Sequence, residues 1–210
     1  MIHPHTGLKF ICKEIGYGVV ATRFIPKGTI TWVMDALDQR FSEQEVLDLG
    51  VHYIDILDKY TFRDATGDYI LCWDHARFVN HSFRPNCITT AYDFELAVRD
   101  IKPGQELTND YGTLNVCKPF HCLPEKRVRR NVVLPDDLLV YHEEWDQRLV
   151  SAFKHFHKVD QPLARFLSEN VYKKAMSVAK GKCEMDSIIS CYCGVIRHTE
   201  RPHPSPIYPG

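Results

Sequence analysis

One stretch of the chain carries several polar side chains that could bind or orient a ligand. Segment 77–87, RFVNHSFRPNC, contains Asn80, His81, Ser82 and Asn86 among apolar residues. Polar side chains that become buried must find hydrogen-bond partners. The segment therefore either braces a loop through internal hydrogen bonds or presents amide and imidazole groups to a bound molecule.

Two further segments have turn chemistry that could place backbone amides or a hydroxyl beside a ligand. Gly16-Tyr17-Gly18 allows close approach of a ligand to the backbone, because glycine has no Cβ. It lacks the third glycine and the following helix of a dinucleotide-binding motif. Segment 106–112, ELTNDYG, ends on a tyrosine before a glycine. Each segment alone is typical of an ordinary turn.

The three segments together, in this order, resemble the signatures of the SET-domain protein-lysine methyltransferases. The resemblance covers about residues 8–122. It implies an α+β fold, mostly β, built of small sheets, in which the Asp-Tyr-Gly segment lies beside the Asn-His segment in a pseudoknot. It also implies S-adenosylmethionine as cofactor and a lysine of a protein or peptide as methyl acceptor, in a histone or in another protein.

The resemblance assigns roles to residues that match the family's motifs. Tyr111 is expected to be the catalytic tyrosine. Residues expected to contact the cofactor are Gly16, Tyr17 and Gly18 at its methionine end, then Arg77, Asn80, His81 and Tyr111, with Phe120 covering the adenine. The physical requirement is an aromatic channel that favours a neutral lysine amine and excludes water.

The chain departs from the family where many members bind a structural zinc. Phe83 and Pro124 stand at expected ligand positions, and Arg129 and Arg130 stand near another. A tetrahedral site with one ligand left is no site, so no metal is expected. Free thiols are the favoured interpretation of the remaining cysteines, with a four-thiolate site as the alternative: Cys117, Cys122, Cys191 and Cys193.

Asn109 falls where many members have a Phe or Tyr that governs how many methyl groups are added, so the number of methyl groups is not predicted. Two other function classes stay open. The chain could be a non-catalytic interaction module on a SET scaffold, although such a module would be expected to lose Tyr111 or the Asn80–His81 pair. It could also be a structural metal-binding protein, which would depend on the late cysteines alone.

Hydrophobic alternation and turn residues predict a β-rich body and a helical C-terminal part. Expected units are a catalytic domain over residues 1–122, a helical extension over residues 123–196 and a flexible tail over residues 197–210. A capping box at Ser42 predicts a short helix ending at Gly50. Strands are predicted over residues 8–15, 19–22, 29–34, 60–63, 69–73, 87–92, 94–98 and 106–109, and further helices from Pro135 and over residues 161–180.

The composition limits the kinds of partner that the protein is expected to bind. The 210 residues include 26 Lys and Arg against 27 Asp and Glu, so no basic excess favours direct nucleic-acid binding. No apolar run reaches membrane-spanning length, and the first residues do not resemble a secretory signal. An intracellular location is expected, cytoplasmic in a bacterium or nuclear in a eukaryote. Trp145 and Phe156 are expected in the core of the extension, whereas His3, His5, His155, His157, His203 and the basic run 126–130 are expected at the surface.

Overall fold

The computed structural model describes residues 1–194, so the tail predicted over residues 197–210 lies outside the described part. The α-helices are α1 (Glu43–Leu49), α2 (Val51–Tyr60), α3 (Asp137–Phe156) and α4 (Glu169–Ala179). The strands are β1 (Thr6–Cys12), β2 (Gly16–Ala21), β3 (Ile30–Val33), β4 (Gln39–Phe41), β5 (Thr61–Arg63), β6 (Tyr69–Leu71), β7 (Asn80–His81), β8 (Cys87–Thr89), β9 (Phe94–Ala97), β10 (Thr108–Asn109), β11 (Phe120–His121) and β12 (Val132–Val133).

The strands form small separate sheets, as the sequence predicted, and the class is α+β. Antiparallel sheets join β1 to β2, β11 to β12, β3 to β9 to β8, and β4 to β6 to β5. Such short strands have few ladder hydrogen bonds each. Side-chain hydrogen bonds and the packing between sheets therefore carry much of the architecture.

The pairing of β7 with β10 is parallel and brings two distant motifs together. Asn80 lies opposite Thr108, and His81 lies opposite Asn109. The Asn86 side chain extends this pairing. Its amide donates to the Glu106 carbonyl at 2.7 Å, and its oxygen accepts from the Thr108 N–H at 2.9 Å. The prediction that the Asp-Tyr-Gly segment lies beside the Asn-His segment is confirmed.

The helical C-terminal part shares a core with the β-rich part. Trp145 and Phe156 of α3 are buried in one cluster with Phe94 and Leu96 of β9, which confirms the prediction for both aromatic residues. Ile188 in a 3₁₀ turn near the described end joins the same cluster. A second cluster lies under β2 and includes Val19, Ala21, Ile101 and Leu107. Burial of α3 against β9 fixes the two parts to each other.

The helix predictions were partly wrong. The first helix has the predicted capping box, in which Ser42 Oγ accepts from the Glu45 N–H and the Glu45 carboxylate accepts from the Ser42 N–H at 2.7 Å. Helix α2 was not predicted. It buries Leu57 and leaves Val51 and Tyr53 exposed, so one side of it faces the core. The predicted helix over residues 161–180 begins only at Glu169, because Ser168 caps it.

Two surface predictions were also wrong. His3 is buried, and burial together with the neighbouring His5 charge lowers the pKa of His3 to about 4. Its Nδ1 accepts a hydrogen bond from the His5 N–H at 3.1 Å, so the ring is a neutral turn residue. Arg130 of the basic run is largely buried. Sequence alone could not indicate that acidic residues from two other segments surround it.

Arg130 joins the Asp-Tyr-Gly turn to the start of α3. Its guanidinium donates to Asp110 Oδ2 at 2.7 Å and to Asp137 Oδ2. Asp137 in turn accepts from the Leu134 N–H at 2.8 Å. The guanidinium carbon lies 4.5 Å from the Phe83 ring centre and 4.4 Å from that of Tyr141. Two buried carboxylates therefore depend on one arginine.

Replacing Arg130 by alanine should destabilise the fold by about 3–5 kcal/mol, because it leaves two buried carboxylates without their cation. Urea unfolding followed by circular dichroism would measure the loss. Arg129→Ala is the matched control, since Arg129 is exposed beside it, and it should change stability by less than about 0.5 kcal/mol. Equal stability of the two variants would show that Arg130 has no such role.

Candidate functional site

The three motifs meet at one cavity of about 590 Å³. Its wall includes Gly16 and Tyr17 from β2, Asn80 from β7 and Tyr111 from the turn after β10. The cavity continues past Tyr111 toward the β5–β6 sheet, where Phe62 and Tyr69 line it. Its size lies within the range of small-molecule sites, about 300–1,000 Å³.

The Gly-Tyr-Gly wall is held by one amide side chain. Asn80 Nδ2 donates to the Tyr17 carbonyl at 3.1 Å and to Glu106 Oε1 at 2.7 Å. Gly18 makes this contact possible, because a Cβ there would lie 2.2 Å from Glu106 Oε1 and 2.8 Å from Asn80 Nδ2. Gly16 has a φ of +84°, the left-handed region that favours glycine. Both glycines are therefore required by local geometry.

Tyr111 is fixed at both its backbone and its hydroxyl. Its N–H donates to His81 Nδ1 at 3.1 Å, and its hydroxyl donates to the Val79 carbonyl at 2.9 Å. Burial raises the pKa of Tyr111, so the phenol stays protonated at neutral pH. Because the hydroxyl proton is committed to Val79, the oxygen lone pairs are the groups that can interact with a bound molecule.

His81 acts on the site through Tyr111. Burial, with a smaller effect of the Arg130 charge, lowers the pKa of His81 to about 4, so the ring is neutral at neutral pH. Nδ1 accepts from the Tyr111 N–H, which places the ring proton on Nε2. The ring packs edge-on against Phe83, with centres 4.3 Å apart, behind the cavity wall.

Phe120 and Arg77 occupy the cavity rim. Phe120 in β11 is half exposed, with its ring centre 5.6 Å from that of Tyr111 and 6.3 Å from that of His81. Arg77 is exposed, and its guanidinium donates to the carbonyls of Cys72 and Trp73 at 3.2 and 3.3 Å. Phe120 thus offers an open aromatic face, whereas Arg77 braces the preceding turn.

A carboxyl group lies in the cavity deeper in the fold. Glu95 of β9 accepts from Asn109 Nδ2 at 2.6 Å, and the same amide donates to Thr89 Oγ1 at 3.1 Å. Burial raises the pKa of Glu95 to about 7. All three residues line the cavity together with Tyr111.

The structure brings together most of the residues singled out from the sequence. Gly16, Tyr17, Arg77, Asn80, Tyr111 and Phe120 line the cavity, whereas Gly18 and His81 lie behind its wall and hold residues that do. Sequence reasoning missed Glu95 and Glu106. A signal for Glu95 existed, since it lies between Phe94 and Leu96 in an apolar strand, where a charge is costly.

The four late cysteines do not form one cluster. Cys117 accepts from Arg63 Nη1 at 3.1 Å, and Cys193 also influences the pKa of that arginine. The pKa of the Cys122 thiol is affected by burial and by different charges, those of Asp110 and Arg130. In residues 1–194, no group of three or more His, Cys, Asp or Glu has the arrangement to hold a metal ion. The absence of a metal requirement stays a prediction.

Comparison with known proteins places the motifs in a family. Residues 16–112 match the model of the SET domain. The chain contains a SET domain. The match begins at the Gly-Tyr-Gly wall and ends at Gly112, directly after Tyr111. It therefore includes Asn80 and Tyr111 of the cavity and His81 behind its wall.

Two similar proteins have histone methyltransferase names. A histone-lysine N-methyltransferase specific for H3 lysine 9, from Schizosaccharomyces pombe, is 32% identical over 122 residues. That alignment covers 49% of this chain and 24% of the relative, so the chain spans about a quarter of the relative's length. A Plasmodium falciparum crystal structure named as a candidate histone methyltransferase is 17% identical, covering 52% of this chain and 95% of that chain, with a TM-score of 0.39.

Gly18→Ala should destabilise the protein by about 1–3 kcal/mol, because the new methyl group would overpack the Asn80–Glu106 contact. Thermal unfolding would measure it. Gly7→Ala on the paired strand is the matched control. A Cβ at Gly7 would meet Thr22 at an ordinary 3.4 Å, and Gly7 is not among the glycines with positive φ. If Gly18→Ala melts with the wild type, the close approach is not required.

Proposed function

We propose that this chain is an S-adenosylmethionine-dependent protein-lysine methyltransferase. The observation that carries the proposal is the convergence of the Gly-Tyr-Gly wall, the Asn80–His81 strand and Tyr111 on one cavity within a SET domain. The similarity to a histone-lysine methyltransferase supports the reaction class. The acceptor is proposed to be a lysine of a histone or of another protein inside the cell.

The residues around the cavity fit the proposed cofactor. Gly16 leaves space for a ligand against the backbone, since a Cβ there would meet nothing within 4 Å. Gly16, Tyr17 and Asn80 would hold the methionine end. The exposed face of Phe120 suits stacking on an adenine ring. When bound, S-adenosylmethionine supplies a sulfonium methyl group that is already an electrophile.

The chain's own contribution is to position and desolvate the acceptor amine. An attacking nitrogen must lie about 3 Å from the methyl carbon, in line with the bond that breaks. Tyr111 is anchored at both ends, so its oxygen holds a fixed place in the cavity wall, where it would lie beside the bound amine. Its lone pairs can accept hydrogen bonds from the amine or from the polarised methyl hydrogens. Because its pKa is raised, Tyr111 orients the amine and does not act as a base.

Cofactor binding is the first test. S-adenosylhomocysteine should raise the melting temperature, because a ligand that binds only the folded state stabilises it by about 2.7 kcal/mol at a hundredfold excess over Kd. Adenosine alone should give a smaller shift, since it lacks the end that Gly16 and Asn80 would hold. No shift with millimolar S-adenosylhomocysteine would overturn the proposal.

Tyr111→Phe is the second test. Removing the hydroxyl should lower turnover about 10²-fold or more, because a fixed group that acts in the transition state is lost. Affinity for S-adenosylhomocysteine should stay near normal, and stability should fall by only about 1 kcal/mol for the lost bond to Val79. Methyl transfer from labelled cofactor into core histones and a cell lysate, with mass spectrometry of the acceptors, provides the assay.

Tyr172→Phe on α4 is the control. It removes the same hydroxyl group from a tyrosine that does not line the cavity. It should keep wild-type turnover. Wild-type turnover in Tyr111→Phe would make Tyr111 a structural turn residue. A chain that binds S-adenosylhomocysteine yet labels no lysine would instead favour the non-catalytic module.

A further inference from the structure

The cavity contains a carboxyl group that the mechanism above does not use. Glu95 lies in β9 between Phe94 and Leu96, which are both fully buried. Across the sheet it pairs with Trp32 of β3, and both line the cavity. A carboxyl group in such a place loses its hydration, and the fold must compensate for that loss or use the charge.

The hydrogen bonds of Glu95 satisfy only part of the carboxyl group. Asn109 Nδ2 donates to Oε1 at 2.6 Å, and Thr89 gives a further side-chain hydrogen bond. A carboxylate has about four acceptor positions on its two oxygens. Capacity to accept from a bound molecule therefore remains on a side chain that lines the cavity.

The electrostatic surroundings favour a proton acceptor at neutral pH. Burial raises the pKa of Glu95 to about 7, and Asn109, the amino group of Met1 and Thr89 oppose that rise. The Glu95 charge in turn contributes to the raised pKa values of Tyr111, Cys72 and Cys87. Those three groups stay neutral, so Glu95 is the side chain among these four that can exchange a proton near neutral pH.

A structural role alone does not explain the choice of an acid. Glutamine has nearly the same shape, and its carbonyl oxygen could accept the hydrogen bond from Asn109 without burying a charge. A neutral amide would also avoid the cost of taking a charge out of water. The presence of an acid at this position therefore indicates that the Glu95 carboxylate interacts with a cationic group inside the cavity.

We propose that Glu95 accepts the proton of the acceptor lysine's ammonium group. This inference rests on the proposed function. The ammonium transfers one proton to a Glu95 oxygen, giving a neutral amine and a carboxylic acid. The amine nitrogen then forms a bond to the methyl carbon as the carbon–sulfur bond breaks, and the bonding pair stays on sulfur. The methylated ammonium leaves, and Glu95 returns its proton to water.

The step assigns separate roles to two polar groups that line the cavity. Tyr111 orients the nitrogen, and Glu95 removes its proton. Asn109 is a positioning residue, since it holds one carboxylate oxygen and thereby favours the ionised form. Lysine has an unperturbed pKa near 10.4, so an internal proton acceptor would make the reactive amine available at neutral pH.

The test compares the pH dependence of kcat/KM in wild type and Glu95→Gln, with core histones and lysine-centred peptides as acceptors. Wild-type kcat/KM should rise through a pKa near 7 and then level. At pH 7 the variant should lose about 10²-fold or more, the usual contribution of a general base. Its rate should keep rising toward pH 10, as free lysine loses its own proton. Glu143→Gln on the exposed face of α3 is the isosteric control and should follow the wild type.

Asn109→Ala supplies a second variant that keeps the carboxyl group. Because Asn109 lowers the pKa of Glu95, its loss should move the inflection of the wild-type profile to higher pH without removing it. This shift does not depend on whether Glu95→Gln folds. A structural defect alone would lower the rate at every pH and leave the inflection in place.

Thermal stability gives a readout without turnover. A carboxyl whose pKa is raised from 4.5 to about 7 in the fold stabilises the protein at acidic pH, and that contribution is lost as pH rises through 7. Glu95→Gln should therefore gain melting temperature relative to wild type between pH 5 and 8, whereas Glu143→Gln should not.

The outcomes separate the two proposals. If wild type methylates lysine and Glu95→Gln has the same profile and rate, the inference on Glu95 is overturned while the proposed function stands. Relative melting temperatures that do not change with pH would overturn the inference in the same way. If wild type transfers no methyl group to any lysine acceptor, the proposed function fails, and the inference fails with it.

Discussion

The site depends on one arginine held between two buried carboxylates. Arg130 binds Asp110, which precedes Tyr111, and Asp137, which begins α3. Asp110 also accepts from the Gly112 N–H at 3.0 Å, so the same carboxylate shapes the turn that carries the tyrosine. Gly112 fits this junction because a Cβ would lie 2.8 Å from Arg130 and 3.0 Å from Trp145. The position of Tyr111 is thus fixed from the helical side of the molecule.

On its β-sheet side, the turn that carries Tyr111 is held by hydrogen bonds from polar side chains, because the strands next to it are short. The pair β7 and β10 has only two residues in each strand, too few to hold a register alone. Asn86 bonds the backbone at Glu106 and Thr108, while Asn80 links the Tyr17 carbonyl to the Glu106 carboxylate. Each amide joins segments more than fifteen residues apart, so the cavity wall and the tyrosine are positioned as one unit.

Sequence patterns predicted the parts of the site that form continuous motifs. The resemblance to the SET-domain family placed Tyr111 beside the Asn80–His81 strand and implied the α+β class, and the structure confirms both. The helix α3 followed from apolar residues at spacings of three and four, and its buried Trp145 and Phe156 confirm that face.

The features that sequence could not predict are those that arise from distant partners. Arg130 stands in a basic run that is typical of a surface, and its burial depends on Asp110 and Asp137. Glu95 and Asn109 each stand out in the sequence, but their hydrogen bond depends on the packing of β10 against the sheet of β3, β9 and β8. Helix α2 is a different case, since its apolar residues recur at helical spacing around the buried Leu57 and the helix could have been predicted.

The shared core of α3 and β9 determines which part of the chain can be transferred to another protein and still fold. Residues 16–112 are the part with a family match, yet Phe94 and Leu96 inside that part are covered by Phe153 and Phe156 outside it. Tyr111 likewise takes its position from Arg130, beyond the matched end. The matched segment is a unit of sequence similarity but not a unit of folding, so a graft of residues 16–112 into another chain would carry the motifs without the scaffold that gives them their geometry.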